Sequence, residues 1–155
     1  MTHEELMRRA IGLSLRNVAE GGGPFGAVVA RGGEIVAEGV NRVTAQCDPT
    51  AHAEVAAIRA AARKLGTFDL SGCDIYASCE PCPMCLGAIY WARLDRLFYA
   101  ATKDDAARAG FDDAFIYREL ALAPSQRRLV TTRLLGDEAL ATFRAWEEKA
   151  DRHPY

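Results

Sequence analysis

The 155-residue sequence lacks several features that would assign it to a membrane, a secretory route or a nucleic-acid partner. It has no apolar run long enough to span a bilayer, and its beginning, MTHEELMRRA, has neither the apolar core nor the cleavage site of a signal peptide. It also has no basic block, because 19 Lys and Arg are mixed with 21 Asp and Glu along the chain. These absences predict a soluble cytoplasmic protein that acts on a small molecule, and they argue against a membrane or nucleic-acid partner.

Internal repeats, low-complexity tracts and linkers are absent as well, which predicts one domain over residues 1–155 with a core of its own. Gly21, Gly22 and Gly23 are not followed by the Gly-Lys-Ser/Thr of a phosphate-binding loop, so we expect them to end a helix. The five cysteines are odd in number, and three of them are crowded together. In a reducing cytoplasm that pattern favours metal binding or catalysis over a disulfide framework.

Helix and strand patterns alternate along the chain. Residues 2–19 predict an amphipathic helix that begins with a capping box at Thr2 and Glu5, with one face formed by Leu6, Ala10, Ile11, Leu15 and Val18. Two extended runs around Gly32 and Gly33 predict an antiparallel hairpin. The later pattern predicts a helix over 51–65, strand CDIYAS, helix PMCLGAIYWAR, strand LDRLFYAA, a last strand RRLVTTRLL, and a helix from Asp137 with Leu140, Phe143 and Trp146 inward. The fold class is therefore α/β, with a mixed sheet covered by helices on both faces.

The stretch SCEPCPMCLG contains the three crowded cysteines, Cys79, Cys82 and Cys85. Its CPMC segment has the C-P-x-C form of glutaredoxin-like redox proteins, where the motif usually follows the first strand. Here at least two strands and two helices precede it. No fourth cysteine follows at ferredoxin spacing, which argues against an iron-sulfur cluster. A metal site with a further ligand from elsewhere in the chain fits the pattern better.

His52, in PTAHAEVAAI, lies 30 residues before Cys82 and can supply that ligand. With Glu54 it forms the pattern H-x-E followed by P-C-x-x-C, which is typical of zinc-dependent deaminases of bases and nucleosides. Cys82 and Cys85 are three residues apart at a predicted helix start, where the free N–H groups favour thiolates. Three protein ligands on tetrahedral zinc leave the fourth position open for a water or hydroxide, as in catalytic sites.

Glu54 is interpreted as the catalytic residue of this site rather than as a surface acid. Two residues apart in mid-helix, His52 and Glu54 would diverge by about 200°, but in a first turn both can reach a metal beyond the helix end. The helix-start signals Asp48, Pro49 and Thr50 predict that placement. We expect Cys79 to pack at a strand end. Were Cys79 a fourth ligand, the site would be closed, so a structural-zinc interaction module stays as an alternative.

The segments DPTAHAEVAAIRAA and SCEPCPMCLGAIYWAR resemble the cytidine deaminase superfamily, and AGFDDAFIYRE with the terminal tyrosine is similar to its guanine deaminase branch. The resemblance implies a three-layer α/β/α sandwich with a mixed, mainly five-stranded sheet and one zinc ion per subunit. It implies a hydrolase of purine metabolism that converts guanine, a purine base, to xanthine and ammonia. It also implies a homodimer that exchanges C-terminal segments, so that each site is completed by its partner.

Carried over by motif, the resemblance implies a role for individual residues. Zinc would be held by His52, Cys82 and Cys85, and Glu54 would move protons. The base would be bound by the remaining residues: Asn41 by a hydrogen bond, Phe25 and Trp91 by packing on its ring, and Asp113 and Tyr155 by closing the pocket from the same or the other subunit.

Several alternatives stay open at this point. Asp113 could be an acid of an amphipathic turn that faces water, and Phe25 and Trp91 could be core residues. The same zinc chemistry could act on cytosine, guanosine, a triazine or a tRNA adenosine, although the acidic balance and the Gly-Phe-Asp-Asp run argue against the last of these.

Overall fold

The computed structural model describes all 155 residues and contains four strands and seven α-helices. In chain order the elements are α1 (His3–Ala19), β1 (Gly26–Arg31), β2 (Glu34–Val40), α2 (Val43–Gln46), α3 (Ala53–Leu65), β3 (Asp74–Cys79), α4 (Pro83–Trp91), β4 (Arg96–Ala101), α5 (Lys103–Arg108), α6 (Ala114–Ala121), a 3₁₀ turn (Pro124–Gln126) and α7 (Gly136–Glu148). They form two compact units, Met1–Ile116 and Tyr117–Tyr155. None of the helices has the length and apolar character needed to cross a membrane.

Helix α1 begins as the sequence predicts but buries a different face. The Thr2 side chain accepts a hydrogen bond from the Glu5 N–H, and the Glu5 carboxylate accepts one from the Thr2 N–H, which completes the capping box. The predicted inward face was wrong in part, because Ile11, Leu15 and Val18 are exposed while Leu13, Ser14 and Asn17 are buried. A Cβ on Gly26 would lie 2.5 Å from the Ala10 carbonyl oxygen, so this face of α1 lies directly on β1.

The sheet is mixed, with strand order β2-β1-β3-β4. β1 pairs antiparallel with β2 and β3, and β3 pairs parallel with β4. The predicted hairpin is present, with Gly32 and Gly33 at φ of 58° and 83°, a region that glycine adopts without steric cost. The prediction of five strands was wrong, since residues 127–135 form no strand. Their apolar alternation resembles a strand, but a strand also needs a partner edge, and this segment pairs with none in the chain.

The two faces of the sheet pack against different helices. Alternate residues of β1 and β3 point to opposite sides, as the two-residue period of a strand requires. On one side, Ala27, Val29 and Ile75 pack with the helical residues Ala53, Ala57, Ala61 and Ile89. On the other, Val28, Ala30 and Tyr76 pack with Leu6, Ala10 and Leu13 of α1. The first unit thus has helices on both faces of its sheet, as expected.

Helix α3 lies unusually close to the sheet. A Cβ on Gly39 of β2 would lie 2.2 Å from the Ala53 carbonyl oxygen and 2.5 Å from the Ala57 nitrogen. Since a real Cβ cannot approach backbone atoms so closely, only glycine at this position allows the contact. The first turn of α3, next to His52, is therefore held at a fixed place over the sheet.

The second unit, Tyr117–Tyr155, contains no buried residue. Its helix α7 begins at Gly136, one residue before the predicted start. The prediction that its apolar residues face inward was wrong, because Leu140, Phe143 and Trp146 are 47%, 64% and 40% exposed. A segment this short cannot enclose a core of its own, so its amphipathic pattern does not produce burial within the chain.

Candidate metal and substrate site

The amino-terminal ends of two helices supply the candidate metal ligands. His52 is the N-cap of α3 and Cys82 is the N-cap of α4, both with extended backbone and neither with a side-chain capping hydrogen bond. Pro83 begins α4, where its fixed φ is favourable and its missing N–H costs nothing. Cys85 follows as the third residue of that helix. The positive ends of both helix dipoles favour negative charge on the thiols.

The three ligand atoms have distances that suit one tetrahedral ion. The Nδ1 atom of His52 lies 3.6 Å from Sγ of Cys82 and 3.4 Å from Sγ of Cys85, and all three atoms lie within 4.8 Å of one another. Tetrahedral zinc, with bonds of about 2.0 Å to nitrogen and 2.3 Å to sulfur, separates these atoms by about 3.5 Å. The set of one imidazole and two thiols therefore fits zinc, with Nδ1 as the histidine donor atom.

The ionisation of these groups is linked. Hydrogen bonding with Cys85, followed by that with His52, lowers the pKa of the Cys82 thiol despite its partial burial. The same interaction with Cys82 raises the pKa of the Cys85 thiol, and burial raises it further. The hydrogen bond to Cys82 also raises the pKa of His52. The cluster thus contains protons that a cation must displace, which is the usual coupling between metal binding and proton release.

Glu54 is the second residue of α3 and is only 8% exposed. It lies in the first helical turn beside His52, as its spacing predicts, and its side chain faces the same cavity as the Cys82 thiol. Burial raises the pKa of this carboxyl group. A buried carboxyl with a raised pKa is suited to accept a proton and return it within one reaction.

Two of the three candidate metal ligands, His52 and Cys82, border a cavity of about 610 Å³. Its lining includes Phe25, Asn41, His52, Glu54, Cys82 and Asp113 among the residues predicted from the sequence. Trp91 does not line this cavity, since it is at the far end of α4 and is 67% exposed. Tyr155 belongs to the second unit and is 73% exposed. A second cavity, of about 590 Å³ beside His3 and Arg96, contains no comparable group of metal ligands.

Two polar side chains of the cavity have unused hydrogen-bonding capacity. The Oδ1 atom of Asn41 accepts a hydrogen bond of 3.2 Å from the Val43 N–H, which leaves its amide nitrogen as a donor. The Oδ1 atom of Asp113 is buried and has no hydrogen-bond partner. Burial also raises the pKa of Asp113. A buried acceptor without a partner is costly unless a ligand supplies the missing donor.

The structure adds cavity residues that the sequence reasoning missed. Phe111 packs edge-to-face on Phe25, with ring centroids 5.0 Å apart, and both line the cavity. Phe111 belongs to the Gly-Phe-Asp-Asp run, from which only Asp113 was predicted to bind substrate. The three glycines at 21–23 also line the cavity, although their sequence predicts no more than the end of α1.

Cys79 also lines the cavity, at the end of β3. Its Sγ atom is 3.6 Å from the Thr102 carbonyl oxygen. Burial raises the pKa of the Cys79 thiol to about 11. A neutral thiol that donates to the backbone agrees with the packing role expected for this residue, which stays a prediction.

Residues 1–101 match the family described as the cytidine and deoxycytidylate deaminase zinc-binding region. The chain belongs to this deaminase family. Membership gives the chemical setting for the cluster of His52, Cys82 and Cys85, since the matched region is the family's zinc-binding region and contains all three residues.

Deaminases that act on different substrates are similar to the chain to different extents. Guanine deaminase from Bacillus subtilis (strain 168) is 51% identical over 156 residues, which is 100% of both chains. The X-ray structure of guanine deaminase from Bacillus subtilis has a TM-score of 0.97 at 51% identity, covering 100% of this chain and 99% of that chain. A tRNA-specific adenosine deaminase from Aquifex aeolicus (strain VF5) is 38% identical over 101 residues, or 65% of this chain and 67% of the relative. The similarity to guanine deaminase thus includes the second unit.

Removing one thiol at a time should separate ligands from neighbours. We expect Cys82→Ala to lose most bound zinc, because two remaining ligands hold the ion far more weakly than three. Cys79→Ala also removes one thiol from the same segment, and this variant should keep the zinc content of the wild type. Metal content measured by mass spectrometry after gel filtration, with circular dichroism to check folding, tests this. Full zinc in Cys82→Ala would remove it from the ligand set, and loss of zinc in Cys79→Ala would indicate a closed four-ligand site.

Proposed function

We propose that this protein catalyses the zinc-dependent hydrolytic deamination of guanine to xanthine and ammonia, a reaction of purine metabolism. The observation that carries the proposal is the buried, unpartnered Oδ1 atom of Asp113 in the same cavity as Glu54 and the metal ligands. Guanine presents an amino group and a ring N–H on one edge, so it offers donors to this carboxylate.

The chemistry of the cavity discriminates among bases. Adenine and cytosine present a ring acceptor beside their amino group where guanine presents an N–H donor, so they would leave Asp113 facing an acceptor. Sites built to hydrogen-bond a substrate donor strongly reject analogues that lack it. The free amide nitrogen of Asn41 supplies a complementary donor for an acceptor atom of the base. Phe25 and Phe111 supply aromatic surface for its ring.

The reaction follows from the positions of the chain's own groups. In this proposal His52, Cys82 and Cys85 hold the zinc ion, which supplies a water molecule whose pKa is lowered toward about 7. Glu54 accepts a proton from the attacking water and delivers it to the ring nitrogen beside the carbon under attack. The water oxygen bonds to the carbon that carries the amino group. Glu54 then takes the second proton from the hydroxyl group now on that carbon and delivers it to the departing nitrogen, which leaves as ammonia when its bond to carbon breaks and the carbonyl forms.

Glu54→Gln tests the proton-transfer role. Glutamine has nearly the same volume but cannot accept the proton, so we expect zinc to stay bound while the turnover number falls by about 10²- to 10⁴-fold. Ammonia release and metal content are measured on the same sample. His52→Ala is the contrasting variant, because it should lose zinc as well as turnover. Normal turnover in the glutamine variant would exclude Glu54 from proton transfer.

Substrate preference is tested with the zinc-loaded protein on guanine, guanosine, cytosine, adenine, a triazine and an anticodon-loop RNA. We expect ammonia release mainly from guanine, with Asp113→Ala raising the guanine KM by about 10- to 100-fold through loss of a charge-assisted hydrogen bond. Asp104→Ala, an exposed acid in the same segment, should leave KM unchanged.

Three results would count against the substrate proposal. Turnover of another substrate but not guanine would keep the metal site and refute the assigned pocket. An unchanged guanine KM in Asp113→Ala would remove this residue from substrate binding. No ammonia release from any of these substrates at full zinc occupancy would favour the structural-zinc interaction module.

The proposed functional unit is a homodimer in which each chain lends its second unit, Tyr117–Tyr155, to the partner. The support is that this unit buries no residue and leaves Leu129, Val130, Leu134, Leu135 and Phe143 strongly exposed. Apolar surface of this extent in one segment indicates an interface. The exchange would place Tyr155 of the partner subunit at the cavity, so that one deaminase domain is assembled from two chains.

Complementation between two inactive variants tests the exchange. Glu54→Gln and Tyr155→Ala chains, each impaired alone, are co-expressed with different affinity tags. If sites are composite, a mixed dimer has one site with both native residues, so random pairing restores about a quarter of wild-type activity. Mixing purified proteins without subunit exchange is the control and should restore nothing. Absence of recovery in a co-purified mixed dimer would show that Glu54 and Tyr155 act within one chain.

A further inference from the structure

Asn17, near the end of α1, is the most deeply buried polar side chain in the chain, with 1% of its surface exposed. It does not line the substrate cavity, but it holds two residues that do. Its Nδ2 atom donates hydrogen bonds to the Gly23 carbonyl oxygen at 2.8 Å and to the Asn41 carbonyl oxygen at 2.9 Å. Both N–H bonds of one carboxamide are therefore used to join two separate backbone segments.

Those two segments are also tied to the aromatic wall of the cavity. The Gly23 carbonyl oxygen accepts a second hydrogen bond, of 2.8 Å, from the Phe25 N–H. The Asn41 N–H donates to the Phe25 carbonyl oxygen at 3.2 Å. Asn17 thus fixes a short backbone network that places both the Phe25 ring and the Asn41 amide.

The glycines beside Asn17 are fitted to its carboxamide. A Cβ on Gly22 would lie 2.4 Å from Nδ2 of Asn17, and one on Gly23 would lie 3.1 Å from Cγ of Asn41. The Gly22 N–H donates to the Asn17 carbonyl oxygen at 2.8 Å. The loop can therefore lie against the Asn17 carboxamide because Gly22 carries no side chain, and Gly23 leaves similar room for the side chain of Asn41.

The other end of the same carboxamide shows that packing alone does not explain Asn17. Its Oδ1 atom is buried and has no hydrogen-bond partner. Burying an unpaired acceptor is destabilising, and an apolar side chain of similar size would fill the space without that cost. What an apolar side chain could not supply is the pair of bonds to Gly23 and Asn41.

We propose that Asn17 is a positioning residue for substrate binding, which sets the Asn41 amide and the Phe25 ring against the base. The inference rests on the proposed guanine deamination and on the place of Asn41 in its pocket. The side-chain hydrogen bonds of Asn17 go to Gly23 and Asn41 and not to the metal ligands or Glu54, so its removal should weaken substrate binding while leaving zinc and proton transfer in place.

A double-mutant cycle tests the inference through KM and turnover number for guanine, with zinc content measured on each sample. We expect Asn17→Ala to raise KM by about tenfold, as for the loss of one to two buried hydrogen bonds, with a turnover number within about threefold of wild type. Gly22→Ala should raise KM in the same direction, because its methyl group displaces the Asn17 carboxamide. The two changes together should raise KM by less than the product of the single effects, since the methyl group occupies the vacated space.

Gly12→Ala is the matched control, because it is in the same helix and a Cβ there meets nothing within 4 Å. Its KM should equal that of the wild type. Native KM in both Asn17→Ala and Gly22→Ala at full zinc, even with lower melting temperatures, would overturn the inference. Strictly multiplicative effects would do the same. If Asn17→Ala does not fold, the KM of Gly22→Ala alone tests the inference. A wild-type protein without guanine turnover would refute the proposed function and this inference together.

Discussion

The amino-terminal ends of two helices, α3 and α4, must face one point, and the candidate site depends on that constraint. His52 and Cys82 are N-caps, and their backbone positions follow from where each helix can begin. The sheet sets those positions, since α3 lies on Gly39 of β2 with no space for a side chain between them. The positive helix ends favour the thiolate charge that a divalent cation then balances. The backbone segments that begin these two helices therefore also determine where the candidate metal ligands lie.

Two polar side chains of the cavity beside this cluster have hydrogen-bonding capacity that the chain does not use. Asn41 keeps a free donor, and Asp113 keeps a buried oxygen without a partner. Buried polar groups in proteins are nearly always paired, so an unpaired one that lines a cavity is a candidate contact for a ligand. Asn17, outside the cavity, also has an unpaired Oδ1 atom, but its Nδ2 donor is used within the chain to hold the cavity wall. In the proposed function, substrate recognition would combine groups left free for the base with groups that keep them in place.

Structural features that depend on neighbouring residues in the chain could be predicted from the sequence. Features that depend on distant partners could not. The capping box of α1, the glycine hairpin and the start of α4 at Pro83 all follow from residues within one turn of each other, and the structure agrees. Helix α3 was also predicted, although it begins at Ala53, two residues after the predicted start. The buried face of α1, the expected strand over 127–135 and the inward face of α7 do not follow from neighbouring residues, because periodicity identifies an apolar face but not what covers it. The glycines at 21–23 show the same limit, since their closeness to Asn17 arises only from tertiary packing.

The helices α3 and α4 both begin without a side-chain hydrogen bond at their caps. Ordinarily a serine, threonine, aspartate or asparagine closes such an end by accepting from a first-turn N–H. Here the residues in the capping positions are two of the candidate metal ligands instead. A single ion bound to both residues would fix the backbone where the two helices begin, although a cation accepts no hydrogen bond from their N–H groups. The stability of the first turn of each helix would then depend on whether the ion is bound, and not on the polypeptide alone.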